Sequence, residues 1–119
     1  MQSQYDLFTK VFLDTDYEKK KVVEMVCQLG EGAASGSVIT TQLSEIFVFH
    51  NEDFSEKKRN QGNDEFLYYR YYLDIEPVTG AGEKIYMDAI AKLVKGLWEA
   101  GFKTVVSCDF EDELLGDET

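Results

Sequence analysis

The run FLYYRYYLDIE at residues 66–76 places five aromatic residues in the seven positions 66–72. Aromatic side chains suit a pleated surface, and at period two the run divides into two faces. Leu67, Tyr69, Tyr71, Leu73 and Ile75 fall on one face, and Phe66, Tyr68, Arg70, Tyr72, Asp74 and Glu76 on the other. A strand that is apolar on one side, and half aromatic, half charged on the other, belongs at the centre of a sheet. One face of that sheet must be buried, and the other stays open unless something covers it.

The rest of the chain supplies partners for such a strand. Residues 5–14 alternate Tyr5, Leu7, Thr9, Val11 and Leu13 against Asp6, Phe8, Lys10, Phe12 and Asp14, which predicts a first strand. Thr15 and Glu18 have the spacing of a capping box, so a helix is expected to begin there. Its apolar stripe is Val22, Val23, Val26, Cys27 and Leu29, and Gly30 is the expected left-handed stop. Residues 30–37 (GEGAASGS) read as a connector. They lack a Gly-Lys-Ser/Thr ending and follow a helix rather than a strand, which argues against a phosphate loop.

Residues 45–51 form the expected second strand, with Ile46, Val48 and His50 alternating against Phe47 and Phe49. A charged loop spans 52–65. Pro77, Gly80 and Gly82 end the third, aromatic strand. In residues 83–100, Ile85, Tyr86, Ala89, Ile90, Leu93, Val94, Leu97 and Trp98 recur at helical spacing before Gly101. Residues 102–110 are the fourth strand.

The order strand, helix, strand, strand, helix, strand (βαββαβ) predicts a single α+β domain over residues 1–119. The expected fold is a ferredoxin-like sandwich, a four-stranded antiparallel sheet with two helices on one face and the first and third strands central. The alternative is an open α+β sheet with an extra strand at 38–41. An acidic segment, 111–119, follows the last strand.

Hydrophobic residues make up 44% of the 119, enough for a folded core and against disorder. Twelve Lys and Arg against 23 Asp and Glu give a formal net charge of -11. That charge repels nucleic-acid phosphate and anionic membrane surfaces and favours a basic protein partner. No stretch approaches the ~18 apolar residues of a spanning helix. The opening MQSQYDLF has neither a basic region nor a long apolar run, so no export signal is expected. Cys27 and Cys108 read as buried reduced thiols, and a cytoplasmic location is expected.

His50 is the only histidine, so neither a histidine-based triad nor a histidine-rich zinc site can be assembled. The terminal CDFEDELLGDET carries six acids, but their spacing is not that of an EF-hand loop. No catalytic residue, metal or cofactor is expected. If the aliphatic side of the first strand meets the helices, Phe8, Lys10 and Phe12 join Phe66, Tyr68, Arg70 and Tyr72 on the open side. RNA-binding sheets stack bases on such platforms within a basic groove, whereas Asp6, Asp14, Asp74 and Glu76 surround this one.

FLYYRYYLDIEP, followed by a helix and CDFEDELL, resembles small uncharacterised acidic bacterial proteins with a similar ending, some of them like immunity proteins of toxin systems. The resemblance covers roughly the last half of the chain. It implies a compact cytoplasmic protein that caps a toxin domain, often a basic nuclease, and it supplies no catalytic residue.

The expected function is that of a non-enzymatic acidic binding protein of immunity or inhibitor type. Phe12, Tyr68 and Tyr72 are its candidate anchors around Arg70, with Asp74, Glu76, Glu111 and Asp112 as an electrostatic rim. The alternative is a small ferredoxin-like enzyme or small-molecule-binding domain, with the aromatic face as pocket floor and Arg70 holding an anionic group. A homodimer joined through the sheets is the third reading.

Overall fold

The computed structural model describes residues 6–58 and 65–110. Its elements are β1 (Thr9–Asp14), α1 (Lys19–Gly30), β2 (Ala33–Ser35), β3 (Val38–Thr40), β4 (Ser44–His50), a 3₁₀ helix (Glu65–Tyr68), β5 (Tyr71–Pro77), α2 (Glu83–Glu99) and β6 (Lys103–Cys108). The strands form one sheet in the order β2-β3-β4-β5-β1-β6, with every neighbouring pair antiparallel. No helix among the described residues is long and apolar enough to cross a membrane.

The expected four-stranded ferredoxin-like sheet is therefore corrected to six strands. β1 does pair with β5, Val11 facing Leu73, and the two helices are present. The difference lies in the segment taken for a connector. It folds back as β2 on β3, with Ala33 opposite Thr40 and Ser35 opposite Val38, and β3 in turn pairs with β4. The alternative with an extra strand at 38–41 comes nearer, since β3 lies there.

Two glycines let this hairpin form. Gly36 turns the chain at φ +61, where residues with a side chain are strained. Gly32 is a matter of space, because a Cβ there would lie 2.8 Å from both Ile39 Cγ2 and the Thr40 carbonyl oxygen.

One face of the sheet makes the core. Val11, Leu13, Ile39, Ile46, Val48, Tyr71, Leu73 and Ile75 are all buried, and they pack with Val22 and Val26 of α1 and with Tyr86, Ile90, Leu93 and Leu97 of α2. Phe110, just past β6, is also buried and meets the Tyr86 ring edge-on, with centroids 6.3 Å apart. The Tyr86 hydroxyl donates to the Ile75 carbonyl at 3.1 Å, and burial pushes this phenol up to about 12, so it stays a neutral donor.

Several local expectations are corrected. α1 begins at Lys19 with Glu18 at the cap and no side-chain cap bond; the Thr15 hydroxyl instead accepts from the Tyr17 amide at 3.2 Å. The left-handed residue is Glu31, at φ 55, rather than Gly30, and its amide donates to the Gln28 carbonyl. Ile85 and Trp98 of α2 are exposed, although the helical spacing put them in the core stripe.

The aromatic run is also not one strand. β5 begins only at Tyr71, and residues 65–68 coil as the 3₁₀ helix. Leu67, assigned to the core side, is 43% exposed, and Tyr69 is buried outside the main core cluster.

Gly32→Ala should lower unfolding stability by about 1–3 kcal/mol, because backbone and Ile39 must both shift to admit the methyl group. Urea unfolding reads this directly. A variant as stable as the parent would mean that the hairpin does not pack as described.

Candidate functional site

The side chains that point away from the helices form rows across the sheet. In the first row, Phe49 of β4 faces Tyr72 of β5, Tyr72 faces Phe12 of β1, and Phe12 faces Val105 of β6. Phe49 and Tyr72 stack with centroids 5.1 Å apart and an interplanar angle of 28°. Phe12 lies 6.4 Å from Tyr72. Phe66, carried by the 3₁₀ helix, meets Phe12 edge-on at 5.2 Å. Phe49 remains 39% exposed, while Phe12 and Tyr72 are half-buried.

The second row runs Val38, Phe47, Asp74, Lys10, Ser107, and the third runs Thr40, Glu45, Glu76. Glu45 and Glu76 face each other in register and are both exposed. Like charges directly opposite destabilise a sheet, so this pair exists in spite of its effect on folding.

The second row holds a further unmet interaction. The Lys10 ammonium lies 4.4 Å above the centre of the Tyr72 ring and 5.8 Å from that of Phe12, a cation–π position. Asp74 is its cross-strand neighbour, yet one carboxylate oxygen, Oδ1, is buried without a hydrogen-bond partner. Burial raises the Asp74 carboxyl above its usual value, and the nearby Lys10 charge opposes that shift. The Tyr72 phenol is also raised, by burial first and then by the Asp74 and Glu52 charges.

The register brings Phe12, Tyr72 and Asp74 onto this face, with Lys10 beside them. Glu76 stands at their border, and Phe8, just before β1, is exposed. The other candidates stand apart. Tyr68 belongs to the 3₁₀ helix, where Lys58 lies 5.2 Å from its ring centre.

Arg70 does not head the open face. Its Nη1 donates to the Asp16 carbonyl at 3.2 Å, and its guanidinium lies over the Phe54 and Tyr71 rings. Its Nε is buried and unbonded, and its amide donates to Asp14 Oδ1. Glu111 and Asp112 lie outside the described residues. Phe47 and Phe49 also belong to this face, as the alternation in EIFVFHN, which sets both opposite the core side of β4, implies.

Asn51 explains where the aromatic run breaks. This buried side chain donates from Nδ2 to the carbonyls of Leu67 at 3.1 Å and Tyr69 at 2.7 Å, and its Oδ1 accepts from the Asp53 amide. Its own amide donates to the Arg70 carbonyl. Three bonds from this one residue hold segment 66–70 off the ladder, where Phe66 lies against Phe12.

A cleft of about 600 Å³ opens elsewhere, between the end of β1 and the loop after α2, lined by Asp14, Asp16, Tyr17, Glu56, Phe102 and Lys103. None of the aromatics in the rows lines it. His50 packs its ring against Phe54 and Tyr71. Cys27 and Cys108 are free thiols, and the Cys27 thiol donates to the Gly32 carbonyl. Asp109, set just beyond β6 and exposed, accepts from the Asp6 amide. Among the described residues, no group of three or more His, Cys, Asp or Glu side chains is placed to hold a metal ion. No protein-family model, curated protein or solved structure matches the chain.

Asn51→Ala should lower stability by about 1–3 kcal/mol, because the buried Tyr69 carbonyl loses its donor. It should also loosen Phe66 from Phe12, which aromatic proton shifts would register. Asp74→Asn tests the raised carboxyl. The native state takes up its proton above the ordinary value of 3.8, so this group's contribution to stability falls as pH rises through the native pKa. The variant should be at least as stable as the parent at neutral pH, with its advantage fading as acidification protonates Asp74. Urea melts across that range would contradict the assignment if the variant were less stable at neutral pH.

Proposed function

We propose that the protein is a non-enzymatic binding protein that caps a basic protein partner through its open sheet face, in the manner of an immunity or inhibitor protein. The observation that carries this reading is the unpaired Glu45 and Glu76 couple bordering the Phe49, Tyr72 and Phe12 row. Aromatic anchors next to unneutralised carboxylates are the composition of a surface that gains when a cationic, partly apolar surface covers it.

The net charge of -11 acts in the same direction at longer range, speeding encounter with a basic partner and slowing it with nucleic acid. The same charge opposes a second copy, since a dimer through this face would bring two acidic rims together. A pocket on this face with Arg70 as its anion holder is disfavoured, because that guanidinium is engaged with the Asp16 carbonyl and two rings.

Affinity capture from the native host, with the immobilised protein and its variants side by side, tests the reading. The wild type should retain a basic protein, and Phe49→Ser and Glu76→Lys should each weaken retention by about tenfold or more, the latter most at low salt. Retention of the same protein by both variants would remove the sheet face from the interaction. Retention of no basic protein would remove the proposal itself.

A further inference from the structure

Lys10 is an odd resident of this face. It lies beside Asp74 in register, in a protein with almost twice as many acids as bases, and yet its ammonium makes no ion pair within 4.0 Å of that carboxylate. It rests on the Tyr72 ring at 4.4 Å instead. The result is a cation on the ring and, next to it, a buried Asp74 oxygen with no donor. An ammonium is a compact point charge at the end of a flexible stem, and here it serves the ring and leaves the carboxylate oxygen unmet.

A guanidinium differs in the property that matters. Its planar fork stacks on an aromatic face and at the same time presents parallel N–H donors to a carboxylate at its edge. The stacked Phe49 and Tyr72 rings supply the aromatic surface, and Asp74, two residues along β5 from Tyr72 on the same side, supplies the acceptor. Asp74 is half-buried, and this partial burial strengthens a charge-assisted bond to it, because less water competes.

We infer that Lys10 is an internal placeholder for an arginine of the partner: on binding, the partner's guanidinium displaces the Lys10 ammonium from the Tyr72 ring and hydrogen-bonds Asp74. This rests on the proposed capping of a basic protein and names the side chain that the face selects. Lys10 then sets both affinity and specificity. Its ammonium occupies the Tyr72 ring in the free protein and must be moved aside by any cation that binds there.

The test uses oligoarginine and oligolysine peptides of equal length as probes, titrated into the full chain and followed by amide and aromatic NMR shifts. The wild type should prefer oligoarginine, with the largest shifts at Tyr72, Phe49 and Asp74. Lys10→Met should tighten oligoarginine binding by about three- to tenfold. Lys95→Met, which removes the same charge from an exposed site on α2, should change it far less. Asp74→Asn should abolish the preference for arginine over lysine.

An unchanged or weakened affinity in Lys10→Met, an equal gain in Lys95→Met, or a preference for arginine that survives Asp74→Asn would each overturn the inference. Those failures leave the broader reading standing as long as both peptides still bind and Glu76→Lys weakens both. Failure of both peptides to bind the wild-type face would count against both readings.

Discussion

The antiparallel register that sets β5 between β4 and β1 governs both faces of this protein at once. It aligns Leu73 with Val48 and Val11, and Ile75 with Ile46 and Thr9, under the two helices. Because successive side chains alternate, the same register puts Tyr72 between Phe49 and Phe12 and Asp74 between Phe47 and Lys10 on the far side. A slip of one residue would exchange the faces and bury Asp74 against α2, so the core enforces the arrangement of the open surface. Core packing therefore fixes the backbone beneath the aromatic row, which lowers the ordering that a partner would have to impose.

What that platform lacks is electrostatic closure. Glu45 and Glu76 oppose each other, and one oxygen of Asp74 has no donor, so three carboxylates on adjoining strands are held in arrangements that do not help the fold. Lys10 offsets part of this, its charge acting on Asp74 while its ammonium rests on the Tyr72 ring. Screening confines the effect of exposed charges to about 8 Å at physiological salt, so the local pattern on these rows matters more for recognition than the total of -11.

The long elements were legible in the sequence because each carries enough alternation or helical recurrence to name its own face. β1, β4, β6 and both helices were expected within a few residues of where they lie, and the pairing of β1 with β5 followed from their order. β2 and β3 were harder because they are three residues each. Ala33, Ala34 and Ser35 are small and exposed, and a strand of that size has no pattern of its own. The sixfold sheet arises from a tight turn at Gly36 and from space at Gly32, neither of which has a hydrophobic signature.

The break at residues 66–70 hides for another reason. The alternation there is genuine, but the buried Asn51 amide, distant in sequence, takes two of the carbonyls that a strand would have used. Arg70 moved off the site through that same break. Phe47 and Phe49 could have been placed on the face from their own period.

The origin of the cation on the face is the step that separates the functional readings. A surface built to stack nucleic-acid bases would surround its rings with bases rather than with Glu45, Glu76 and Asp74. A surface built to meet its own copy would have to bring two such rims together, and only Lys10 lies in these rows to neutralise them. The proposed basic protein would meet the requirement with side chains of its own. Lys10 already places a cation over the Tyr72 ring while one Asp74 oxygen stays without a hydrogen-bond partner, and the proposed arginine would answer both features at once.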